Sequence, residues 1–317
     1  MSTMPTIHDI YRARPNVYRH LRPTPLYQYS GLSDLVQAEI HLKHENHQPV
    51  GAFKVRGGLN LVANLNPDHK KGGLFTASTG NHGQSIAFAA RAYNVKATIA
   101  VPVGANQGKV AAMQGLGAEV LFHGEDFDTA RQWISEVAKE KGGTFVGPTD
   151  EPLIHGVGTY GLEILEDLPD VECIIVPVGA GSGVCGTAIV AKSINPAIKI
   201  IGVQSTQAPT QQLSWQQGRA VESSMKTVAE GLATRIPFAN TQAIMAKYLD
   251  DFVLVEDTAL EEAVRLLLTH CHNLVEEAGA ASLAAALQIK DQLRDKKVVL
   301  VISGGNLSTE RLVEIIQ

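Results

Sequence analysis

The feature that most restricts this chain is a junction it repeats. A short apolar run stops at a cluster of small residues, and a helical pattern follows. Leu74–Ala77 runs into Ser78–Gly83 (STGNHG) and then Gln84–Tyr93; Cys173–Pro177 (CIIVP) runs into Val178–Gly186 (VGAGSGVCG) and a helix over Val184–Ile194. Lys297–Ile302 (KVVLVI) runs into Ser303–Asn306 (SGGN). Strands alternating with helical stretches specify parallel α/β architecture, because each parallel strand needs a crossover before the next. Ligands of such open sheets sit beyond the carboxyl ends of the strands, where the small residues gather.

Two series of elements follow. The first has strands Leu74–Ala77, Ala97–Val101, Glu119–Phe122 and Thr144–Val146, with helices Gln84–Tyr93, Lys109–Leu116 and Asp128–Lys139 between them. The second has strands Cys173–Pro177, Lys199–Val203 and Lys297–Ile302, with helices Val184–Ile194, Ala259–Asn273 and Ala280–Leu293. Leu26–Lys43 reads as an edge strand, a helix and another strand joining the second series. The polar stretch Ser205–Asn240 reads as helices and loops covering a sheet. The expected fold is α/β with two open, mainly parallel sheets and flanking helices. The 317 residues suit two units at about 150 residues each: a small domain over 73–146, and a large one over 1–72 and 147–317.

Composition excludes other classes. The formal net charge is −5, which argues against a generally basic nucleic-acid or membrane-surface binder. With 44% hydrophobic and 19% charged residues, disorder is not the main state. Cys173, Cys185 and Cys271 contain no CxxC pair, so neither a disulfide scaffold nor a cysteine zinc site is expected. The N-terminus has no apolar signal region, and no apolar run approaches the ~20 residues of a membrane span. A soluble, cytoplasmic protein is expected.

Four segments carry candidate chemistry. In Asn46–Gly58 (NHQPVGAFKVRGG), Lys54 follows a glycine-bearing loop. Such a lysine ordinarily snorkels at the surface; the alternative is an amine held near a pocket with a depressed pKa, able to form an imine. STGNHG reads either as a helix cap or as an anion site with Ser78, Thr79, Asn81 and His82 at one strand end. VGAGSGVCG suits a phosphate cradle and contains a formal GxGxxG. A dinucleotide would need an acid about 20 residues on, but the strand Lys199–Val203 ends at Gln204. A phosphate monoester is therefore favoured, with a ligand-free tight turn as the alternative. SGGN alone suits an ordinary turn. His44-Glu45-Asn46-His47 is not HExxH, and His270-Cys271-His272 places neighbours about 100° apart on a helix, so no metal site is expected.

Taken together, these segments resemble the fold-type II pyridoxal-phosphate enzymes, the tryptophan-synthase β-like group, and within it the threonine dehydratase and serine racemase branch. The resemblance runs in order through Thr24-Pro25-Leu26, Lys43-His44-Glu45, Gly51–Gly58, Ser78–Gly83, Val176–Gly183, Ala229–Leu232, Glu276–Gly279 and Ser303–Asn306, nearly the whole chain.

The resemblance implies pyridoxal 5′-phosphate as cofactor. Lys54 would bond to it and then act as the base at Cα, with Ser78 and Thr79 beside it in the catalytic set. Phe53 would pack on the ring, Asn81 would bond its 3′ oxygen, and Glu276 would be a further cofactor contact. Gly179, Ala180, Gly181, Ser182 and Gly183 would hold the phosphate, and Ser303 would face the ring nitrogen. Ser78, Thr79 and His82 would surround the substrate carboxylate. A serine at the ring nitrogen cannot supply an aspartate's charge, which favours rapid loss of a β leaving group.

The implied activity is a dehydratase or ammonia-lyase acting on a small β-hydroxy α-amino acid of threonine or serine type. A racemase, a β-replacement synthase and a non-enzymatic ligand-binding relative are the alternatives. Ala52 and Ala180 depart from the commoner Ser and Gly. Gln204 and Thr210 stand where metal-dependent relatives place acids. Thr79 stands where racemases carry serine. The chain closes at Gln317 soon after SGGN, so no C-terminal regulatory domain is expected. The partners implied are a small amino acid and a second copy in a dimer, with no nucleic acid or membrane.

Overall fold

The apolar run Cys173–Pro177 is buried at every position, as a parallel strand covered on both faces must be. It lies inside a six-stranded sheet of order β1-β2-β10-β7-β8-β9. Its strands are β1 (Leu26–Gln28), β2 (Glu39–His44), β7 (Cys173–Pro177), β8 (Lys199–Ser205), β9 (Asp251–Val255) and β10 (Lys297–Ile302). All neighbours pair parallel except β1, antiparallel to β2 at one edge. A second, four-stranded sheet has the order β5-β4-β3-β6 and is parallel throughout. It contains β3 (Leu74–Ala77), β4 (Ala97–Val101), β5 (Glu119–Phe122) and β6 (Thr144–Phe145). The computed structural model describes residues 4–317; the first residues of the large domain expected over 1–72 lie outside that range. Among the described residues no helix is long and apolar enough to cross a membrane.

The two-sheet α/β fold is the one expected. In each sheet the parallel strands deliver their carboxyl ends to one edge. β2 and β10 run in register, Ile302 beside His44, so Ser303 and Glu45 leave the sheet together. The helix Glu277–Gln288 (EAGAASLAAALQ) is buried from Glu277 to Ala286, and its small residues permit close approach. A Cβ on Gly279 would stand 2.2 Å from the Gly304 carbonyl oxygen.

Several elements differ from the sequence reading. Lys54 is the N-cap of a helix, Val55–Asn64, that the sequence reading does not contain. Gly57 and Gly58 lie inside that helix despite their poor propensity, because a Cβ would meet Leu153 O at 2.8 Å and Ser85 Oγ at 2.5 Å, respectively. The helices after the two loops start earlier than expected, at Asn81 and Ser182; the small polar residues are their first turns. The expected helix Ala280–Leu293 is Glu277–Gln288 followed by a short Lys290–Leu293. β9 was not expected, since its run Asp251–Val255 is short and flanked by acids. Nor was the helix Ile7–Tyr18, which contains Pro15 yet buries Ile10, Ala13 and Val17 on one face and opens with a Thr6/Asp9 capping box. The hydrophobic cluster of the four-stranded sheet also takes in Val50, Val55, Leu59 and Val62.

Candidate active site

A cavity of about 380 Å³ lies where the carboxyl ends of the two sheets face each other. Its lining includes every residue to which the resemblance gives a catalytic, cofactor or substrate role: Phe53, Lys54, Ser78, Thr79, Asn81, His82, Gly179, Ala180, Gly181, Ser182, Gly183, Glu276 and Ser303.

Backbone pairing places Lys54. Ala52 bridges Gly304, the Phe53 N–H donates to Ser303 O (3.1 Å), and the Gly305 N–H donates to Gly51 O (2.9 Å). Gly51 is left-handed (φ 67°), and a Cβ there would stand 2.6 Å from Asn306 Oδ1. The segment before Lys54 is thus laced to the end of β10. From behind, its helix is held by a buried charge network. Arg56 forks onto Glu45 (2.7 and 2.8 Å) and onto Glu163 (2.6 and 2.9 Å). Lys43 Nζ lies 2.6 Å from Glu163 and donates to Thr24 O at 2.7 Å. Arg56, Lys43 and Glu45 have no exposed surface. Two cations face two carboxylates, so the network is neutral, and with Thr159 Oγ1 accepting as well every Arg56 N–H is used, the condition under which buried charge is tolerated. Arg56 and Glu45 lie in segments that carry the resemblance, without a role there, and Glu163 lies in none of them.

Lys54 Nζ lies 4.9 Å from the Phe53 ring centroid and 3.5 Å from Ser182 Oγ. Burial lowers its pKa to about 8, against a smaller opposing effect of Glu276. Burial raises the Glu276 carboxyl to about 7, although Asn81 Nδ2 donates to it at 2.7 Å. Asn81 Oδ1 in turn accepts from Asn306 Nδ2 at 2.7 Å. Asn306 supports Asn81 without itself lining the cavity, a role the sequence reading does not assign; its signal is the final letter of SGGN. His82 is pushed down to about 3, first by burial and then by Lys54, so the ring is neutral. Its Nε2 is buried with no hydrogen-bond partner among the described residues.

Two helix N-termini point into this cavity, one from each sheet. Gly181, at φ 101°, caps Ser182–Ile194. Thr241 Oγ1 donates to Ala180 O at 2.9 Å, and Tyr160 OH donates to Gly183 O at 3.0 Å. Because a trans peptide sets C=O and N–H in opposite directions, tying the Ala180 carbonyl back turns the Gly181 N–H the other way. A Cβ on Gly179 would be 2.1 Å from Gly231 O, and one on Gly181 would be 2.9 Å from Thr241 Cβ. At the other helix, Asn81–Ala92, Ser78 Oγ accepts from the N–H of Gly80 (3.2 Å) and of Gly83 (2.9 Å). Both ends attract anions through free N–H groups and the helix dipole. Ser303 is 7% exposed, and its Oγ donates to Ala278 O at 3.4 Å.

A desolvated amine between two anion cradles defines a class: an enzyme that holds a phosphorylated carbonyl cofactor by its phosphate and by an imine to lysine. The side chains fit such a group, since the glycine cradle has room only for backbone and the buried His82 Nε2 awaits a partner. The model of the pyridoxal-phosphate dependent enzyme family matches residues 17–304, and the chain belongs to that family; its cofactor is pyridoxal phosphate.

The chain is 39% identical over 315 residues to the L-threonine ammonia-lyase of Thermotoga maritima, covering 99% of this chain and 78% of that one. It is 37% identical over 326 residues to the catabolic L-threonine dehydratase TdcB of Staphylococcus aureus, covering 99% and 94%. Among solved structures, maize serine racemase superposes with a TM-score of 0.94 at 28% identity, covering 99% of this chain and 97% of that one.

Proposed function

We propose that the protein is a dehydrating ammonia-lyase that converts a small β-hydroxy α-amino acid of the threonine or serine type into a 2-oxo acid and ammonia. The observation that carries this reading is Lys54: a primary amine with its pKa lowered to about 8, set between two anion cradles. The two relatives named as threonine lyase and dehydratase support it. The substrate's Cα–H and Cβ–O bonds break, water leaves, and water then adds to the released enamine as ammonia departs. Threonine thus becomes 2-oxobutanoate with no oxidant required.

Bound pyridoxal phosphate supplies the electron sink that stabilises negative charge at Cα. In our reading the remaining tasks fall to the chain. Gly179, Ala180, Gly181, Ser182 and Gly183 hold the phosphate, Phe53 packs on the ring, and Ser303 offers a neutral hydroxyl at the ring nitrogen. Asn81 and Glu276 face the ring's oxygen-bearing edge as a hydrogen-bonded pair. Lys54, neutral in an appreciable fraction near pH 8, takes the proton from Cα. The neutral His82, Thr79 and the first turn of Asn81–Ala92 hold the substrate carboxylate. Ser78 acts through the backbone N–H groups it fixes.

We further propose that 73–146 works as a small domain on the large one formed by 1–72 and 147–317. A homodimer, consistent with exposed Tyr27 and Leu274, and a cytoplasmic location, consistent with three free thiols, complete the reading.

A racemase reading draws support from the Thr79 hydroxyl in the cavity wall. The test follows 2-oxo acid and inverted amino acid together, at early times, from L-threonine and L-serine. The lyase reading predicts that the 2-oxo acid forms faster. Faster inversion of the best substrate makes the protein a racemase.

A further inference from the structure

The mouth of the cavity carries charge that the chemistry at Lys54 does not use. Three cations, Lys109, Arg131 and Arg235, line it with two acids, Asp128 and Glu230. The acids are taken: Glu230 lies 2.6 Å from Lys109 Nζ, and Asp128 lies 3.5 Å from Arg235 Nη1. Arg131, half-buried on the helix Phe127–Glu140, has no ion pair or hydrogen bond among the described residues. A guanidinium presents five donors in a planar fork matched to a carboxylate. Held at a partly desolvated wall, such a fork attracts an anion more strongly than a surface side chain does.

Neither anion that the site already needs accounts for it. The phosphate cradle is at the start of Ser182–Ile194, and the α-carboxylate cradle is at the start of Asn81–Ala92. Of these three cations Arg131 alone has no acidic partner among the described residues, which leaves its fork free for an anion entering with the substrate. The cavity, at about 380 Å³, belongs to the size class of small-molecule sites.

We propose that the preferred substrate is a β-hydroxy α-amino dicarboxylate, of the 3-hydroxyaspartate kind, and that Arg131 receives its side-chain carboxylate. The inference rests on the lyase reading and names its substrate class. Elimination then proceeds as for threonine: water leaves and returns, ammonia departs, and 3-hydroxyaspartate gives oxaloacetate.

The test compares kcat/KM for L-threo-3-hydroxyaspartate and L-threonine in the wild-type holoenzyme and in Arg131→Gln. The expected preference for the dicarboxylate is at least about tenfold, the scale of one charge-assisted pair, and Arg131→Gln collapses that ratio, chiefly through KM. A wild-type preference for threonine, or a ratio unmoved by Arg131→Gln, overturns the proposal. A second measurement needs no turnover: calorimetric binding of succinate against butanoate, which differ by one carboxylate. The wild-type holoenzyme is expected to bind succinate at least about tenfold more tightly, and Arg131→Gln to lose the gap. Equal binding in the wild type, or a gap that survives the substitution, overturns the assignment of Arg131. If neither amino acid yields a 2-oxo acid, the lyase reading fails by itself, and the succinate arm still decides Arg131.

Discussion

The two helix starts that meet at Lys54 solve one problem with different residues. At Ser182–Ile194 the loop is glycine and alanine, its Ala180 carbonyl is tied back by Thr241 and the Gly183 carbonyl in the first helical turn by Tyr160, and an added Cβ on Gly179 would strike backbone. At Asn81–Ala92 the loop and the first helical turn carry hydroxyl, amide and imidazole side chains; Ser78 is spent on backbone N–H groups and His82 bonds the backbone of Val146. Bare backbone fixed on all sides suits an anion that stays. Side chains at a helix start suit an anion that comes and goes, because they recognise it without enclosing it. The first cradle stands at the end of the six-stranded sheet and the second at the end of the four-stranded one, so in the proposed reading the cofactor's phosphate and the substrate's carboxylate fall to different sheets.

The largest effect is expected between the cradles. Lys54→Ala should cost at least about a thousandfold in kcat, within the range for a positioned general base, while the protein stays folded. Turnover close to wild type would show that neither cradle serves this amine. Next comes Gly179→Ala. With Gly231 O at 2.1 Å from the new methyl, equilibrium dialysis should show pyridoxal phosphate bound about a hundredfold more weakly. Unchanged affinity would remove the distinction between the cradles.

Arg56→Met tests what holds the amine in place. Breaking the network leaves Glu45 and Glu163 buried and underpaired, a loss of about 3–5 kcal/mol to be read by urea unfolding of the cofactor-free protein.

Smallest is a pH effect on the substrate side. His82 has a folded pKa near 3 against an ordinary 6.5. The unfolded chain therefore binds the proton first. Stability is full above pH 6.5 and falls as the pH drops toward 3. The melting temperature of the cofactor-free protein should decline on acidification through that window, less steeply in His82→Gln. An identical slope in the variant would remove His82 from the buried wall.

Some of this was legible in the sequence for a physical reason. Runs such as CIIVP and KVVLVI are apolar throughout because both faces of a parallel strand are covered, and the small residues after them must leave room where backbone meets ligand. What was not legible depended on distant partners. Arg56 meets Glu45 and Glu163 at separations of 11 and 107 residues, and Asn306 reaches Asn81 across 225; no local pattern encodes such pairs. Lys54 was legible as a candidate, but its desolvation was not, because burial is produced by segments distant in sequence that close around the amine only in the fold. The helix Ile7–Tyr18 was hidden by Pro15, and β9 by its flanking acids.

The division of labour is tested most directly by titrating two variants against both ligands. Gly181→Val places a branched side chain at φ 101° against Thr241; Thr79→Val removes one hydroxyl from the other cradle. The account predicts that Gly181→Val weakens pyridoxal phosphate by about a hundredfold yet barely moves its affinity for unphosphorylated pyridoxal. It predicts that Thr79→Val raises the substrate KM with cofactor affinity unchanged. If Gly181→Val weakens both aldehydes equally, or if Thr79→Val loosens the cofactor and spares the substrate, the two cradles do not hold the anions assigned to them.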